Sequence, residues 1–353
     1  MRIATSATVC LFLYCVGINA NEKEDSEVIE IYGNFQPSAV SQMVSPVFVL
    51  SAQDIRSIVG STALDVLAQV PSVTIKKSGA VQEIFLRGAE TNFVIVQIDG
   101  VQVNNPLDTR GGSFDLASIS KSALQRVEVI KGAQSSIYGS DAIAGVINLV
   151  TFTPGDIGTE LSVGVLPKGQ KVASVNVGAD NLQGRFSYLD TDRQPNGDQQ
   201  ESLEFALQGD FVLMDNSSTR LNARYSDYKQ WAYADQSGGI VYAPTNPRDE
   251  KRGELVTASV RHTHEINSWY ELAAQAELYH IDDQLVSAGI APYTNAPPTE
   301  SQNQYDYYKL RWLNMMSLNS VQVTAGVDYK SEEGGASGFV SLFGTDIPTD
   351  FGI

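Results

Sequence analysis

Cysteine is nearly absent from this chain of 353 residues, since the only two, Cys10 and Cys15, lie close to its start. If that segment is removed, the rest of the chain can form no disulfide bond and can carry out no thiol chemistry. Basic residues are also scarce, because 24 Lys and Arg stand against 41 Asp and Glu, which gives a net charge of −17. A chain this acidic lacks the basic patch that nucleic-acid binding requires, and we expect no nucleic-acid partner.

Two further absences narrow the class of protein. After residue 20, no apolar run approaches the roughly 20 residues that a transmembrane helix needs. The chain also has no Gly-x-Ser-x-Gly motif, no histidine pair of the metalloprotease type and no phosphate-binding loop. The sequence therefore favours a protein that is not an enzyme and has no membrane-spanning helix.

Residues 1–20 have the pattern of a secretory signal peptide. Arg2 supplies the positive start, residues 7–16 form the apolar segment, and residues 18–20 form a small-residue cleavage site. A membrane anchor is the alternative, but the apolar run is too short to span a bilayer. We therefore predict export to the periplasm, to the exterior or into an outer-membrane barrel.

Residues 34–153 mix helical and strand patterns, and we predict a single α+β domain there. Ser51 and Asp54 form a capping box that opens a short helix. Asp99-Gly100 lies between two apolar runs and predicts a hairpin, because a type I′ turn needs positive φ at both positions. Residues 124–151 predict a glycine-rich strand-turn-strand, and the alternation in its first strand indicates a half-buried strand.

Beyond Pro154-Gly155, residues 156–353 show almost nothing but alternation of apolar and polar side chains. Short turns, long polar loops and aromatic residues near the strand ends accompany the alternation. Soluble β-sandwiches also alternate, but this combination is typical of an outer-membrane barrel with an apolar lipid face and a polar interior. We therefore predict an antiparallel transmembrane β-barrel, surrounded by outer-membrane lipid, after the α+β domain.

Four segments, in order, resemble the TonB-dependent receptors of the Gram-negative outer membrane. Residues 47–73, 84–101 and 124–151 resemble the three motifs of the plug domain of that family. A leader at residues 21–33 precedes them, with no obvious partner strand nearby in the sequence. Its last seven residues are similar to the TonB box: Glu27, Val28, Ile29, Glu30, Ile31, Tyr32 and Gly33. The resemblance implies a plug domain at residues 34–153 that sits inside the barrel.

The resemblance also implies a function, which is the active import of a scarce nutrient. Cargo binds outside, and an inner-membrane complex energised by the proton gradient acts through TonB, which adds a strand to the box. The plug then moves or partly unfolds, and the cargo enters the periplasm. Residues 138–148 are most similar to the members of the family that import cobalamin (vitamin B12). Receptors for ferric siderophores or haem share this pattern, so these ligands are the alternative cargo.

Two polar stretches of the plug, residues 77–82 and 104–113, are expected to be loops that face outwards and line the cargo site. The side chains that could hydrogen-bond the amides of a polar ligand are Ser78, Gln82, Asn104 and Asn105. Plain loop surface is the alternative for each residue taken singly.

Acidic residues cluster around the first long loops of the predicted barrel. The resemblance to cobalamin receptors, which order comparable loops with calcium, makes them a candidate structural calcium site built from oxygen ligands. The candidate ligands are Asp190, Asp192, Asn196, Asp198, Asp227, Asp235 and Asp249. Solvated acidic turns are the alternative, because the spacing is not that of a fixed calcium motif. No other cofactor is predicted.

The barrel region is short for this family, whose members close barrels of about 22 strands. With strands of about 9–11 residues plus turns, residues 156–353 allow only about ten strands. We therefore expect about half of a barrel, and a truncated fragment that does not transport is a further alternative for the function. Within it, Arg87 and Arg126 of the plug are expected to pair with barrel carboxylates and to hold the plug in place.

Overall fold

A computed structural model describes residues 30–31, 38–39, 45–107, 114–139, 141–151, 158–165, 169–179, 181–234, 248–289, 297–318, 321–342 and 345–352. The predicted signal peptide, most of the box-like segment at 27–33 and the candidate ligand Asp235 lie outside these residues. Within the described ranges, no helix has the length and the apolar character needed to cross a membrane.

The described part of the box-like segment is a very short strand with a local partner. β1 (Glu30–Ile31) pairs antiparallel with β2 (Ser38–Ala39). The sequence showed no obvious partner for this segment, and that expectation was wrong. A strand of two residues is too short to produce an alternating pattern, so the sequence carried no signal for it.

The α+β domain contains a five-stranded sheet, a separate hairpin and three short helices. Its elements are β3 (Val47–Leu50), α1 (Ala52–Ser57), α2 (Ala63–Leu67), β4 (Val73–Ser78), β5 (Val81–Leu86), β6 (Val94–Ile98), β7 (Val101–Gln102), β8 (Arg126–Lys131), α3 (Ser135–Tyr138) and β9 (Gly145–Val150). The sheet has the order β3-β8-β9-β6-β7, in which only β6 and β9 run parallel, and β4 pairs with β5 in the hairpin.

Two predicted local structures in this domain are confirmed. Ser51 and Asp54 form a capping box at the start of α1, and Thr62 and Asp65 form a second one at the start of α2. Asp99 and Gly100 join β6 to β7 with φ of 50° and 85°, as a type I′ turn requires. Hydrogen bonds to Ser51 lower the pKa of Asp54, so this carboxylate is charged at neutral pH and can cap the helix.

The prediction that β8 is half buried was wrong. Its four central residues are buried, and Glu128 among them is 0% exposed. The Glu128 carboxylate accepts hydrogen bonds from Arg126 and Asn148, which compensate for its burial. The sequence pattern missed this burial because the sheet is covered on both faces, so that a polar position in the alternation is no longer a solvent position.

The rest of the chain forms one antiparallel sheet, called the barrel sheet here. Each strand from β10 to β18 pairs with the next along the chain, and β20 also pairs with β18. The strands are β10 (Thr159–Val165), β11 (Lys171–Ala179), β12 (Leu182–Asp190), β13 (Gln199–Phe211), β14 (Ser217–Ala232), β15 (Asp249–Asn267), β16 (Tyr270–Ser287), β17 (Thr299–Leu318), β18 (Val321–Leu342), β19 (Thr345–Pro348) and β20 (Phe351–Gly352). The predicted antiparallel partial barrel is confirmed, but its long strands reach 22 residues, well beyond the expected length.

The connections between these strands differ at the two ends of the sheet. One end, the tight-turn end, has the connections 180–181, 212–216, 268–269 and 319–320. The opposite end, the long-loop end, has the connections 166–170, 191–198, 233–248, 288–298 and 343–344, of which the middle three are long. This asymmetry is the one expected of an outer-membrane barrel, whose periplasmic turns are short and whose extracellular loops are long.

Polar side chains of the barrel sheet face inwards and apolar side chains face outwards. In β13, Ser202, Glu204 and Gln208 are at most 5% exposed, whereas Phe205 and Leu207 between them are almost half exposed. This order is inverted relative to a water-soluble sheet, and it suits lipid outside and a polar domain inside. The α+β domain packs against the inner face, where Tyr279, Tyr305 and Tyr307 join its hydrophobic core.

Candidate functional site

A cleft opens at the long-loop end between the hairpin β4–β5, the start of α2 and the ends of barrel strands. It encloses about 660 Å³ of empty space that is open to solvent. Amide side chains dominate its lining, which includes Gln82, Gln170, Gln194, Gln199, Gln200 and Gln230. The cleft can therefore both donate and accept hydrogen bonds at several points without presenting net charge.

Gln230 is the most informative of these residues. Its side chain is 4% exposed, and neither Nε2 nor Oε1 has a hydrogen-bond partner among the described residues. A buried amide without partners costs free energy, so such groups are rare in native proteins unless a ligand or water satisfies them. Because Gln230 lines the cleft, a bound ligand is well placed to supply the missing donor and acceptor.

The charged groups around the cleft are paired with one another. Lys77 on β4 forms an ion pair with Asp198 in the loop 191–198, which links the α+β domain to the barrel sheet. Lys171 lies 2.8 Å from Asp190 on the neighbouring strand β12. Asp65 is occupied as the cap of α2. The cleft therefore offers a ligand mainly neutral hydrogen-bonding groups.

Two arginines fix the loop 191–198 against the roots of the next long loop. Arg193 Nη2 donates to the Tyr233 hydroxyl at 2.7 Å. Arg248 donates to the Gly197 carbonyl at 3.0 Å and lies over the Trp231 ring. Gly197 has φ of 90°, and a side chain there would overlap the Tyr233 ring. The rim of the cleft is thus held in one conformation by side chains rather than by strand pairing.

The four predicted cargo-binding residues do not lie together in the structure. Gln82 lines the cleft, but it lies on β5 rather than in a loop, because only Gly79 and Ala80 form the turn of the hairpin. Ser78 ends β4 opposite Val81. The expected loop at 77–82 was therefore wrong in its conformation, while the role of Ser78 and Gln82 in binding stays a prediction.

Asn104 and Asn105 lie away from this cleft. The Asn104 amide accepts from the Val96 backbone at 2.8 Å and donates to the Val94 carbonyl at 2.9 Å, so both of its ends extend the pairing of β6. Asn105 is 3% exposed, and its Oδ1 accepts from the Leu107 backbone at 3.0 Å. These bonds give both side chains a structural task, and a role for them in cargo binding stays a prediction.

The candidate calcium ligands are dispersed. Asp190, Asp192, Asn196 and Asp198 lie in or next to the loop 191–198, whereas Asp227 lies within β14 and Asp249 begins β15. Among the described residues, no group of three or more His, Cys, Asp or Glu is placed to hold a metal ion. Asp190 and Asp198 are instead paired with lysines. Calcium binding in these loops stays a prediction.

The link between the α+β domain and the barrel sheet centres on Arg224 of β14, which the sequence did not single out. Its guanidinium forms ion pairs with Glu204 of β13 and, at 3.3 Å, with Asp99 of the turn β6–β7. It also donates to the Thr151 hydroxyl at 2.8 Å, and Thr151 donates to Asp99 at 2.6 Å. The cation of this link is on the barrel and the anion is on the plug, which reverses the predicted polarity. Arg126 pairs with Glu128 of its own strand.

Two tyrosines hold β7 and the residue after it against the inner face of the barrel sheet. Tyr279 donates to the Val103 carbonyl at 2.9 Å, and Tyr307 donates to the Gln102 carbonyl at 2.7 Å. Both rings are almost fully buried and stack with centroids 5.3 Å apart. The sequence placed aromatic residues at strand ends, but these two lie inside the barrel and contact the plug.

Comparison with known proteins identifies the α+β domain. Residues 39–146 match the family model of the TonB-dependent Receptor Plug Domain. The chain therefore contains a plug domain of this type, as the sequence predicted, and the described elements β3 to β9 form most of it. The match stops before the barrel sheet, whose assignment rests on its own geometry and on similarity to solved structures.

Several solved structures of receptors and transporters match most of this chain. The pyoverdine receptor FpvA from Pseudomonas aeruginosa is 14% identical, with a TM-score of 0.74 over 92% of this chain and 52% of that one. BauA, the ferric preacinetobactin receptor from Acinetobacter baumannii, is 15% identical, with a TM-score of 0.71 over 91% and 52%. The copper transporter OprC is 18% identical, with a TM-score of 0.66 over 86% and 48%. The chain spans about half the length of these receptors, and the similarity establishes the fold.

Proposed function

We propose that this protein takes part in the TonB-dependent import of a scarce nutrient across the outer membrane. The observation that carries this proposal is a plug domain held inside a sheet with polar side chains inwards and apolar side chains outwards. A segment similar to the TonB box at residues 27–33 precedes the plug. By strand addition, TonB can bind this segment and pull on a plug that otherwise closes the interior of the barrel.

We propose cobalamin as the cargo, bound in the cleft at the long-loop end. Cobalamin carries peripheral amide groups, each of which donates and accepts hydrogen bonds. The glutamine-rich lining is complementary to such groups, and Gln230 offers an amide that lacks protein partners among the described residues. An amide ligand can satisfy both ends of Gln230 at once, which a purely anionic ligand cannot.

A ferric siderophore is the second candidate cargo. The solved receptors with the same fold include those for pyoverdine and preacinetobactin, although their identity of about 15% does not transfer a ligand. Many siderophores also carry amide groups, so the cleft accommodates this class as well. The third hypothesis is a partial barrel that does not transport. The growth-rescue experiment described next distinguishes it, because such a fragment would restore growth on neither ligand.

The decisive experiment is growth rescue in a Gram-negative strain that lacks its own receptors for cobalamin and siderophores. Expression of this protein is expected to restore growth on limiting cobalamin and not on a ferric siderophore. Deletion of residues 27–33 is expected to abolish the rescue, because TonB then has no strand to pair with. Growth rescue by the siderophore alone would show that the cargo is a siderophore rather than cobalamin. Growth rescue that survives the deletion of residues 27–33 would exclude TonB-driven transport.

Gln230→Ala tests the cleft itself. Loss of two hydrogen bonds to a bound amide is expected to weaken cobalamin binding by about tenfold or more. Gln304→Ala is the matched control, since Gln304 is exposed on the outward face of β17. Binding to purified protein is measured by isothermal titration calorimetry. Equal affinities for the two variants would place the cargo elsewhere.

A further inference from the structure

A second cavity lies towards the tight-turn end, between the plug sheet and the inner face of β13 to β17. It encloses about 870 Å³ of empty space. Two primary amides from the plug and three from the barrel sheet line it, namely Gln97, Asn148, Gln208, Asn222 and Gln275. The lining of this cavity is therefore rich in amides, as is that of the cleft at the long-loop end, although the two are separate.

All five amides direct an N–H group to an acceptor of the protein itself. The amide nitrogens of Asn148, Gln208 and Gln275 each donate to a carboxylate, at 3.0, 2.9 and 3.1 Å. The other two amides donate to a backbone carbonyl and to a hydroxyl. Because a carboxylate can only accept, the first three amides cannot be turned round without losing their bonds. The oxygen ends of the amides are therefore the ends that are left for a ligand.

Two of these amide oxygens are buried without any hydrogen-bond partner among the described residues, namely Oδ1 of Asn148 and Oδ1 of Asn222. Asn148 lies on β9 of the plug and is 3% exposed, whereas Asn222 lies on β14, directly opposite Gln208 of β13. A buried acceptor without a partner costs free energy, and such groups are rare in native proteins. Hydrogen-bond donors are therefore missing at two points, one on the plug wall of the cavity and one on its barrel wall.

Four arginines in the lining limit the charge of the missing group. Arg126, Arg220 and Arg311 already form ion pairs with carboxylates of the protein, and Arg261 is the fourth. These ion pairs satisfy the arginines without an anion, and the positive charge of the guanidinium groups disfavours a cation nearby. The donor that would satisfy the two asparagines therefore belongs to a neutral group.

Apolar side chains complete the lining, namely Ile137, Val150 and Leu313. Cavities that combine apolar surface with a few polar groups are the usual binding sites of small organic molecules. We propose that this cavity binds a small neutral organic molecule that carries a primary amide. The N–H groups of the ligand donate to Asn148 and Asn222, and its apolar part packs against the three apolar side chains. The site needs neither cargo in the cleft nor TonB, so it does not depend on the proposed import function.

The probe is 4-fluorobenzamide, and methyl 4-fluorobenzoate is the comparison, because this ester has a similar shape and a carbonyl group but no N–H group. Binding of each to the purified protein in detergent is followed by ¹⁹F NMR line broadening. The amide is expected to bind about tenfold more tightly than the ester, as two hydrogen bonds to otherwise unpaired acceptors imply. Equal affinities would show that water already satisfies the two asparagines, and would overturn the proposal. Tighter binding of the anion 4-fluorobenzoate than of the amide would overturn it as well.

Variants locate the amide in this cavity. Asn222→Leu removes one acceptor with little change in volume, and is expected to weaken amide binding at least about fivefold while it leaves ester binding unchanged. Ester binding thus reports that the variant is folded. Asn314→Leu is the matched control, since Asn314 follows the cavity residue Leu313 on β17 and faces the other side of the sheet. An undiminished preference for the amide in Asn222→Leu would contradict the assignment. Its loss in Gln230→Ala instead would place the amide in the cleft.

Discussion

Arg224 carries more of the contact between plug and barrel sheet than any other single side chain described above. It is 5% exposed and holds two carboxylates from different parts of the molecule, Asp99 and Glu204. A buried ion pair contributes little net stability compared with apolar packing, but the removal of one partner leaves the other charge buried without compensation. Replacement of Arg224 is therefore expected to cost far more stability than the intact ion pairs contribute.

Arg224→Leu is expected to lower the free energy of unfolding by about 3–5 kcal/mol, because Asp99 and Glu204 then remain buried without the guanidinium that pairs with them. The measurement is the urea midpoint of tryptophan fluorescence in detergent. Arg252→Leu on the outer face is the control, with an expected change within about 0.5 kcal/mol. Adding Glu204→Gln to Arg224→Leu is expected to recover part of the loss, and a double variant less stable than Arg224→Leu would contradict the electrostatic explanation.

At the scale of elements, local chemistry was predictable and burial was not. The capping box at Ser51 and the turn at Asp99-Gly100 depend on residues that are neighbours in sequence, so their patterns sufficed. The burial of Glu128 depends on what covers both faces of β8, which no pattern within β8 contains. Similarly, Gln82 was predicted to lie in a loop, because no pattern within residues 77–82 contains the pairing of β4 with β5.

The turn β6–β7 is the element of the plug most directly fixed to the barrel sheet. Tyr279→Phe removes a hydroxyl that donates to the buried Val103 carbonyl, and Tyr307→Phe removes one that donates to the partly buried Gln102 carbonyl. The first change is expected to cost about 1–3 kcal/mol, because a buried carbonyl loses its partner, and the second about 0.5–1.5 kcal/mol, because water can reach the Gln102 carbonyl in part. Hydrogen exchange is expected to become faster at the Val103 amide, which donates to Val96.

Tyr329→Phe is the control for both changes, since Tyr329 is 63% exposed on β18. No change in exchange at Val103 is expected for it. If the double variant Tyr279→Phe with Tyr307→Phe left this exchange rate unaltered, the two tyrosines would pack against the plug without holding it.

At the scale of the whole molecule, the alternation after Pro154-Gly155 predicted the class of fold, and the order of the plug motifs predicted the domain inside it. The sequence could not predict which plug residues contact which residues of the barrel sheet. Alternation indicates that Arg224 and Tyr279 face inwards, but their plug partners at 99 and 103 lie more than 100 positions away along the chain. The reversed polarity of the ion pair between Arg224 and Asp99 follows from the same limit, whereas the pair between Lys77 and Asp198 has its cation on the plug.

The proposed import requires the plug to move relative to the barrel sheet, and the absence of cysteine after residue 15 makes this testable. Gly79 at the tip of the hairpin β4–β5 approaches Asp249 of β15 closely enough that a Cβ built on Gly79 would lie 3.6 Å from Asp249 Cγ. In a cysteine at position 249 the sulfur takes the place of that Cγ atom, so a cysteine at position 79 would lie close enough to form a disulfide with it. The double variant Gly79→Cys with Asp249→Cys is therefore expected to form a bond between plug and barrel on oxidation.

If the hairpin must leave the barrel wall for cargo to pass, the oxidised double variant will bind cargo but will not import it, and a reductant will restore import. The single variants Gly79→Cys and Asp249→Cys are the controls, because they carry the same substitutions without the cross-link, and they are expected to import under both conditions. Import is measured as uptake of radiolabelled cobalamin, and the cross-link is measured by the mobility of the unheated protein on a gel. Undiminished uptake through a fully cross-linked protein would show that this hairpin stays in place during transport, and would restrict the moving part of the plug to the segments between the box and β3 or around β6–β7.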